Sequence, residues 1–259
     1  MQIETIDTLE VIRLFHEIMQ LSSDMRVVHL IGDANMGKSH LLTKIFPKLA
    51  EQNYQARYAI LDLRNRVLTI PDILHFACAS LGESHFDRYH AAYHQWSTKP
   101  KVNVQRMTAI ASSVNIVAQE TAEDRQTRDR ELTNQFVQDL SQLNDTLVLL
   151  LIDSFNEAKE EIKIWLMDTL VALVSQYTHV RVIIAGRTLP DAPGSYATCC
   201  QTVRLRAVKD IEEYITYCKK INATLEEQSI HDFAFAVDYT PGLFANLAYK
   251  FTEWRTRNA

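Results

Sequence analysis

Residues 32–39 read GDANMGKS and fit G-x-x-x-x-G-K-[ST]. The chemistry of that spacing is the capture of phosphate. Gly32 and Gly37 allow backbone angles that a Cβ would forbid. The N–H groups of the residues between them, Asp33, Ala34, Asn35 and Met36, can then turn inward as a nest for phosphate oxygens, at the positive end of the following helix. Lys38 is placed to reach the β- and γ-phosphates and the Ser39 hydroxyl to hold Mg²⁺, and His40 completes the nucleotide-binding set.

Phosphate chemistry with a metal needs a carboxylate at the end of a nearby buried strand. The run TLVLLLI (Thr146 to Ile152) is the most apolar of the chain, and Asp153 closes it, an apolar strand followed by Asp as in Walker B. Hydrolysis needs one more group, to orient or deprotonate water. Ser154 follows Asp153, so the candidate is Glu157, preceded by Asn156; the alternative is an acidic first-turn residue that only favours the helix dipole. Arg187 lies just beyond the run VRVIIAG, at the same end of the sheet, where a guanidinium can report a γ-phosphate.

These side chains require strands and helices in a fixed order. RVVHLI (Arg26 to Ile31) reads as the strand before the loop and LLTKIF (Leu41 to Phe46) as the helix after it, which Pro47 should end or kink. Upstream, Leu9, Ile12, Phe15 and Met19 share one helical face, expected to pack on the sheet edge near the loop. Arg57 to Leu61 is a second strand closed by Asp62. Thr69-Ile70-Pro71 then opens a helix with Ile73, Ala77, Cys78 and Leu81 inward and Gly82 at its C-cap. Leu132, Phe136, Leu140 and Leu143 form an apolar stripe before the Asp153 strand, and Ile162, Leu166, Leu170, Leu173 and Tyr177 another after it. Val180 to Ala185 is a fourth strand, and Val203 and Leu205 mark a fifth. Beyond residue 208 the pattern is helical only: Asp210 caps a helix to about Lys220, Leu225 to Val237 is another, and Pro241 opens a third. The expected fold is α/β, a five-stranded mainly parallel sheet flanked by helices (1–207), with a small helical lid (208–259).

Composition narrows the classes. A net charge of −5 argues against a broad nucleic-acid face. Lys99, Lys101 and Arg106, with Arg125, Arg128 and Arg130, leave room for local contacts. The four cysteines, Cys78, Cys199, Cys200 and Cys218, have no metal or secreted-framework spacing, and Glu4, Asp7 and Glu10 interrupt any signal pattern, which points to a reducing cytoplasm. The longest apolar run is too short to span a bilayer, so no membrane is expected. His85, His90 and His94 have metal-like spacing on a helix, set against a plain solvated face.

GDANMGKS, LLLIDSFNEA, VRVIIAGR and DYTPGLFANLA, in that order, resemble the nucleotide-binding module of STAND NTPases, the group that includes the NACHT and AP-ATPase branches. YAILDLRNR and ELTNQFVQDL are similar to bacterial members. The resemblance covers residues 10 to 255 and implies ATP, or ADP, with Mg²⁺, held as a slow switch whose state sets the lid and leads to oligomerisation or partner binding. It implies that Lys38 and Ser39 are the Walker A pair, Asp153 Walker B and Arg187 the first sensor. Asn156-Glu157 stands where NACHT members carry Asp-Glu, which implies slow hydrolysis. Phe244, three positions after Pro241, takes the place of a proline that meets the adenine in related lids. The sequence stops after the lid, so a minimal member or a subunit acting through a partner is expected. The reading is therefore an ATP-dependent switch in signalling or defence. The alternatives are an AAA-type ATPase assembling on DNA and a nucleotide-stabilised scaffold without turnover.

Overall fold

The computed structural model describes residues 9–64, 68–98, 120–221, 223 and 225–258. Lys99, Lys101 and Arg106, and Glu4 and Asp7, lie outside them. The apolar runs form β1 (Val27–Ile31), β2 (Arg57–Asp62), β3 (Val148–Asp153), β4 (Val180–Gly186) and β5 (Cys200–Arg204). All pair in parallel, in the order β2-β3-β4-β1-β5. Along β3 and β4 successive side chains alternate between two buried faces. Val148, Leu150, Ile152, Val182 and Ile184 enter one core, and Leu149, Leu151, Ile183 and Ala185 the other. Burial on both faces is why these runs are continuously apolar.

The helices that cover the sheet are α1 (Leu9–Ile18), α2 (Lys38–His40), α3 (Phe46–Tyr54), α4 (Ile70–Leu81), α5 (Asp87–Thr98), α6 (Ala122–Ser141), α7 (Glu160–Trp165) and α8 (Ala172–Val174). Residues of α1 and α3 close one face, and residues of α4 to α8 the other. Local chemistry sets several starts. At α4, Thr69 accepts from the Asp72 N–H while Asp72 accepts from the Thr69 N–H, a capping box. At α6, Thr121 accepts from the Asp124 N–H.

Two expectations are corrected. α1 lies over the middle of the sheet, not at its edge: Val11, Leu14, Phe15 and Ile18 pack on Val28, Leu30 and Ile183. Arg181, fully buried in β4, holds it there by donating to the carbonyls of Ile18 and, at 2.7 Å, Gln20. Nor does Pro47 end the helix after the loop. A π turn over Leu41–Ile45 joins α2 to α3, with the Phe46 N–H donating to the Leu41 carbonyl. Widening the turn shifts the hydrogen-bond register ahead of the proline, whose ring would otherwise meet the carbonyl four residues back.

After β5 come α9 (Ile211–Lys220), α10 (Glu227–Ala236) and α11 (Pro241–Asn258). Asp210 caps α9 by accepting from the Glu212 N–H at 3.0 Å. These three helices have their own core, formed by Tyr214, Ile215, Cys218, Ile230, Ala234, Phe244 and Ala248. The Tyr214 hydroxyl bridges the carbonyls of Tyr239 (2.6 Å) and Val208 (2.9 Å), tying the entry of the unit to its last turn. No helix among the described residues is long and apolar enough to cross a membrane.

Candidate functional site

β1 runs into the loop, and α2 leaves it, so the first N–H groups of α2 have no intrahelical partner and face the loop. Gly37 is in the left-handed region (φ 85°), as the turn requires. Gly32 is not; its reason is space, since a Cβ there would sit 3.0 Å from the Leu205 carbonyl oxygen. Asn35 instead takes the second positive φ of the loop, 64°. Asparagine tolerates that region better than most side chains.

The Lys38 ammonium donates to the carbonyls of Gly32 (2.7 Å) and Asp33 (2.6 Å), across the loop's own opening. Burial pushes its pKa below the ordinary lysine value; Asp153 and then Asp33 pull it back up, and Arg187 pushes it down again. Lys38, Asp153 and Arg187 therefore share one electrostatic neighbourhood, as the strand order demands: β4 lies between β1 and β3, and all three C-terminal ends point the same way.

Asp153 is 3% exposed. Its Oδ1 accepts from the Ser154 N–H at 2.7 Å, while Oδ2 is buried with no hydrogen-bond partner among the described residues. A buried carboxylate oxygen without a donor is costly unless a cation or water meets it. The site therefore fits Mg²⁺, which keeps several waters and phosphate oxygens and needs only one or two protein ligands. Asp153 Oδ2 and the exposed Ser39 hydroxyl are the oxygens available to it.

Glu157 and Arg187 are brought together. The guanidinium donates to Glu157 Oε1 at 2.7 Å, with the two side chains 63% and 35% exposed. Among the described residues, His85, His90 and His94 included, no group of three His, Cys, Asp or Glu could hold an ion. The His90 ring instead packs edge-on against His75 and Tyr89.

Between the loop and the C-terminal helices lies a cavity of about 490 Å³. Its floor is Asn35, Met36, Gly37, Lys38, Ser39 and His40; its roof includes Tyr217, Pro241, Gly242, Asn246 and Tyr249. The roof reaches the floor through a backbone contact. The Gly242 N–H donates to the Asn35 carbonyl at 2.8 Å, and a Cβ on Gly242 would lie 2.3 Å from that oxygen. Pro241 lines the cavity, but Phe244 does not. It is fully buried among the three C-terminal helices, 4.6 Å centroid to centroid from Tyr214. On α11 the third residue after Pro241 turns into the helices' own core, while Ala245, Asn246 and Tyr249 turn to the cavity. Sequence reasoning did not single out the cavity-lining Tyr217 and Tyr249, one half-buried beside the helices' core and one exposed, because tyrosines in such places on helices are too common a pattern.

No protein-family model matches the chain, and no curated protein does. Among solved structures the chain is similar to the crystal structure of Cdc6p from Pyrobaculum aerophilum, at 15% identity and a TM-score of 0.58, over 98% of this chain and 63% of that one. The chain therefore spans less than two thirds of that protein. At this identity the likeness concerns the fold, and it shows an α/β P-loop NTPase fold with a five-stranded parallel sheet.

Proposed function

We propose that the chain binds ATP or ADP with Mg²⁺ and acts as a nucleotide-controlled switch of the STAND type with slow hydrolysis, in signalling or defence. The cavity between loop and lid carries this reading, because it is lined on one side by a phosphate-binding loop and on the other by aromatic side chains of a separate helical unit. In the proposed complex Lys38 leaves the Gly32 and Asp33 carbonyls for the β- and γ-phosphates, and the α2 N–H groups receive phosphate oxygens. Ser39 and Asp153 Oδ2 would hold the metal, which would supply positive charge to offset that of the phosphates. Tyr217 and Tyr249 flank the base, and residues 208–259 act as the lid. Arg187 senses the γ-phosphate, and Glu157 positions the attacking water once Arg187 releases it. The Arg187–Glu157 pair supports slow turnover, since it occupies both groups with each other. Lid position then signals the bound nucleotide to a partner or a second copy.

The test is calorimetric titration of ADP and ATP with Mg²⁺ into wild-type protein and Lys38→Ala. Loss of a buried, hydrogen-bonded charge contact weakens binding by about 2–5 kcal/mol, or roughly thirtyfold or more. Equal affinity in the two proteins would remove the loop from the binding site.

The likeness to Cdc6p favours a second reading, an AAA-type ATPase, which we combine with assembly on DNA. The described basic cluster does not favour the DNA part. Arg128 is paired with Glu120 at 2.7 Å and Asp129 at 2.9 Å, and Arg125 lies 4.0 Å from Glu120. DNA binding with a steep salt dependence would favour this reading over the first.

A further inference from the structure

The residue before Glu157 makes a set of contacts that the phosphate chemistry does not use. Asn156 Oδ1 accepts from the backbone N–H of Arg187 at 2.5 Å and, more weakly, from that of Thr188 at 3.4 Å. Its Nδ2 donates to the Thr188 carbonyl (3.1 Å) and hydroxyl (3.0 Å). One side-chain amide thus clips the turn after β3 to the exit of β4, using both its acceptor and its donors. The fit is close: a Cβ on Gly186 would come within 2.8 Å of Asn156 Oδ1. An aspartate could accept from the two N–H groups but could not donate to the Thr188 carbonyl.

The clip has a consequence for the two neighbours. With the Arg187 backbone fixed against the Phe155–Glu157 turn, the guanidinium meets Glu157 at little further entropic cost. The pair itself is half-exposed, and such pairs contribute only about 0–1 kcal/mol. That is firm enough to bias the carboxylate and weak enough for a γ-phosphate to break.

We propose that Asn156 is a positioning residue that sets the hydrolysis rate: by clipping the β4 exit to the turn after β3 it keeps Arg187 on Glu157 and so holds the water-positioning carboxylate back. This rests on the roles proposed above for Glu157 and Arg187. Removing the clip frees Glu157 for a larger fraction of the time and speeds turnover of bound ATP.

The experiment is single-turnover ATP hydrolysis with excess protein, in the wild type, Asn156→Ala, Glu157→Gln and the double variant, with ATP affinity and thermal stability measured for each. Asn156→Ala is expected to raise the hydrolysis rate about twofold to fivefold, the range a surface ion pair of this kind supports, with ATP affinity raised by no more than the same factor. In the Glu157→Gln background the same substitution should change nothing, because Asn156 acts through that carboxylate. An unchanged or lower rate in Asn156→Ala, or an equal effect in both backgrounds, would overturn the proposal. A folding defect is recognised by lowered thermal stability. In that case Asn156→Ser, which keeps an acceptor and hydroxyl donor of smaller reach, must show a smaller rate increase of the same sign; no increase overturns the proposal. Failure of the nucleotide reading itself is distinguishable, since no variant would then bind ATP.

Discussion

The floor and the roof of the cavity are built on different principles. At the floor, Asp153 ends a strand that is buried over its whole length and hydrogen-bonded to a neighbour on each side. The loop is braced as well, with the Gly32 N–H donating to the Gly186 carbonyl at 3.2 Å. At the roof, three helices close over their own core and meet the loop through a backbone hydrogen bond at Gly242. A carboxylate that must face a metal benefits from a frame that cannot shift, because misplacement by an ångström is enough to lose catalysis. A unit proposed to report what lies beneath it needs the opposite, internal order of its own, so that differential binding can move it as a body. The floor fits the phosphate chemistry proposed for it, and the roof the reporting role proposed for it.

That contrast can be broken at its strongest point by unpacking the roof without touching the floor. Phe244→Ala should lower the stability of the lid helices by about 3–5 kcal/mol, as for a fully buried aromatic. Hydrogen exchange should then accelerate in 211–258 and stay protected in β1, β3 and β4. Uniform acceleration would mean that the two regions are one cooperative unit. A smaller perturbation sits at their junction. Gly242→Ala places a methyl against the Asn35 carbonyl and should weaken lid docking by about 1–3 kcal/mol, in the manner of overpacking. ADP affinity should fall while the melting temperature without nucleotide stays nearly constant; unaltered affinity would separate the lid from the site. The smallest effect is at the cavity wall. Tyr217→Ala removes one proposed stacking face and should reduce nucleotide affinity by about 0.5–1.5 kcal/mol. It should affect a base-lacking ligand such as tripolyphosphate much less. Equal losses for both would place the base elsewhere.

The floor was legible in the sequence because its chemistry fixes both residue type and spacing. GDANMGKS sits between a strand and a helix, and Leu147 to Ile152 reads as a doubly buried strand because that stretch contains no polar position. Asp153 follows from its place at the end of that run. The roof was legible only as helices. Asp210 and Pro241 announce their starts, but which residues face the loop depends on how α9 and α11 rotate against each other, and the apolar spacing within each helix alone does not encode that rotation. Phe244 was assigned to the base for its position, whereas its size and apolarity take it to the lid core. Of the two outcomes expected at Pro47, an end or a kink, the helix does not end; it changes register through the π turn before the proline, which no pattern of apolar residues signals. The Arg187–Glu157 pair and its Asn156 clip escaped notice because their partners are some thirty residues apart and no motif links them.

The central claim, that loop and lid together hold a nucleotide, is tested most directly on the protein as purified. Denaturing it and separating the released small molecules by chromatography, with ADP and ATP thermal shifts measured on the same preparation, should yield bound ADP or ATP or a clear Mg²⁺-dependent stabilisation by them. No released nucleotide together with no stabilisation by either would contradict the account.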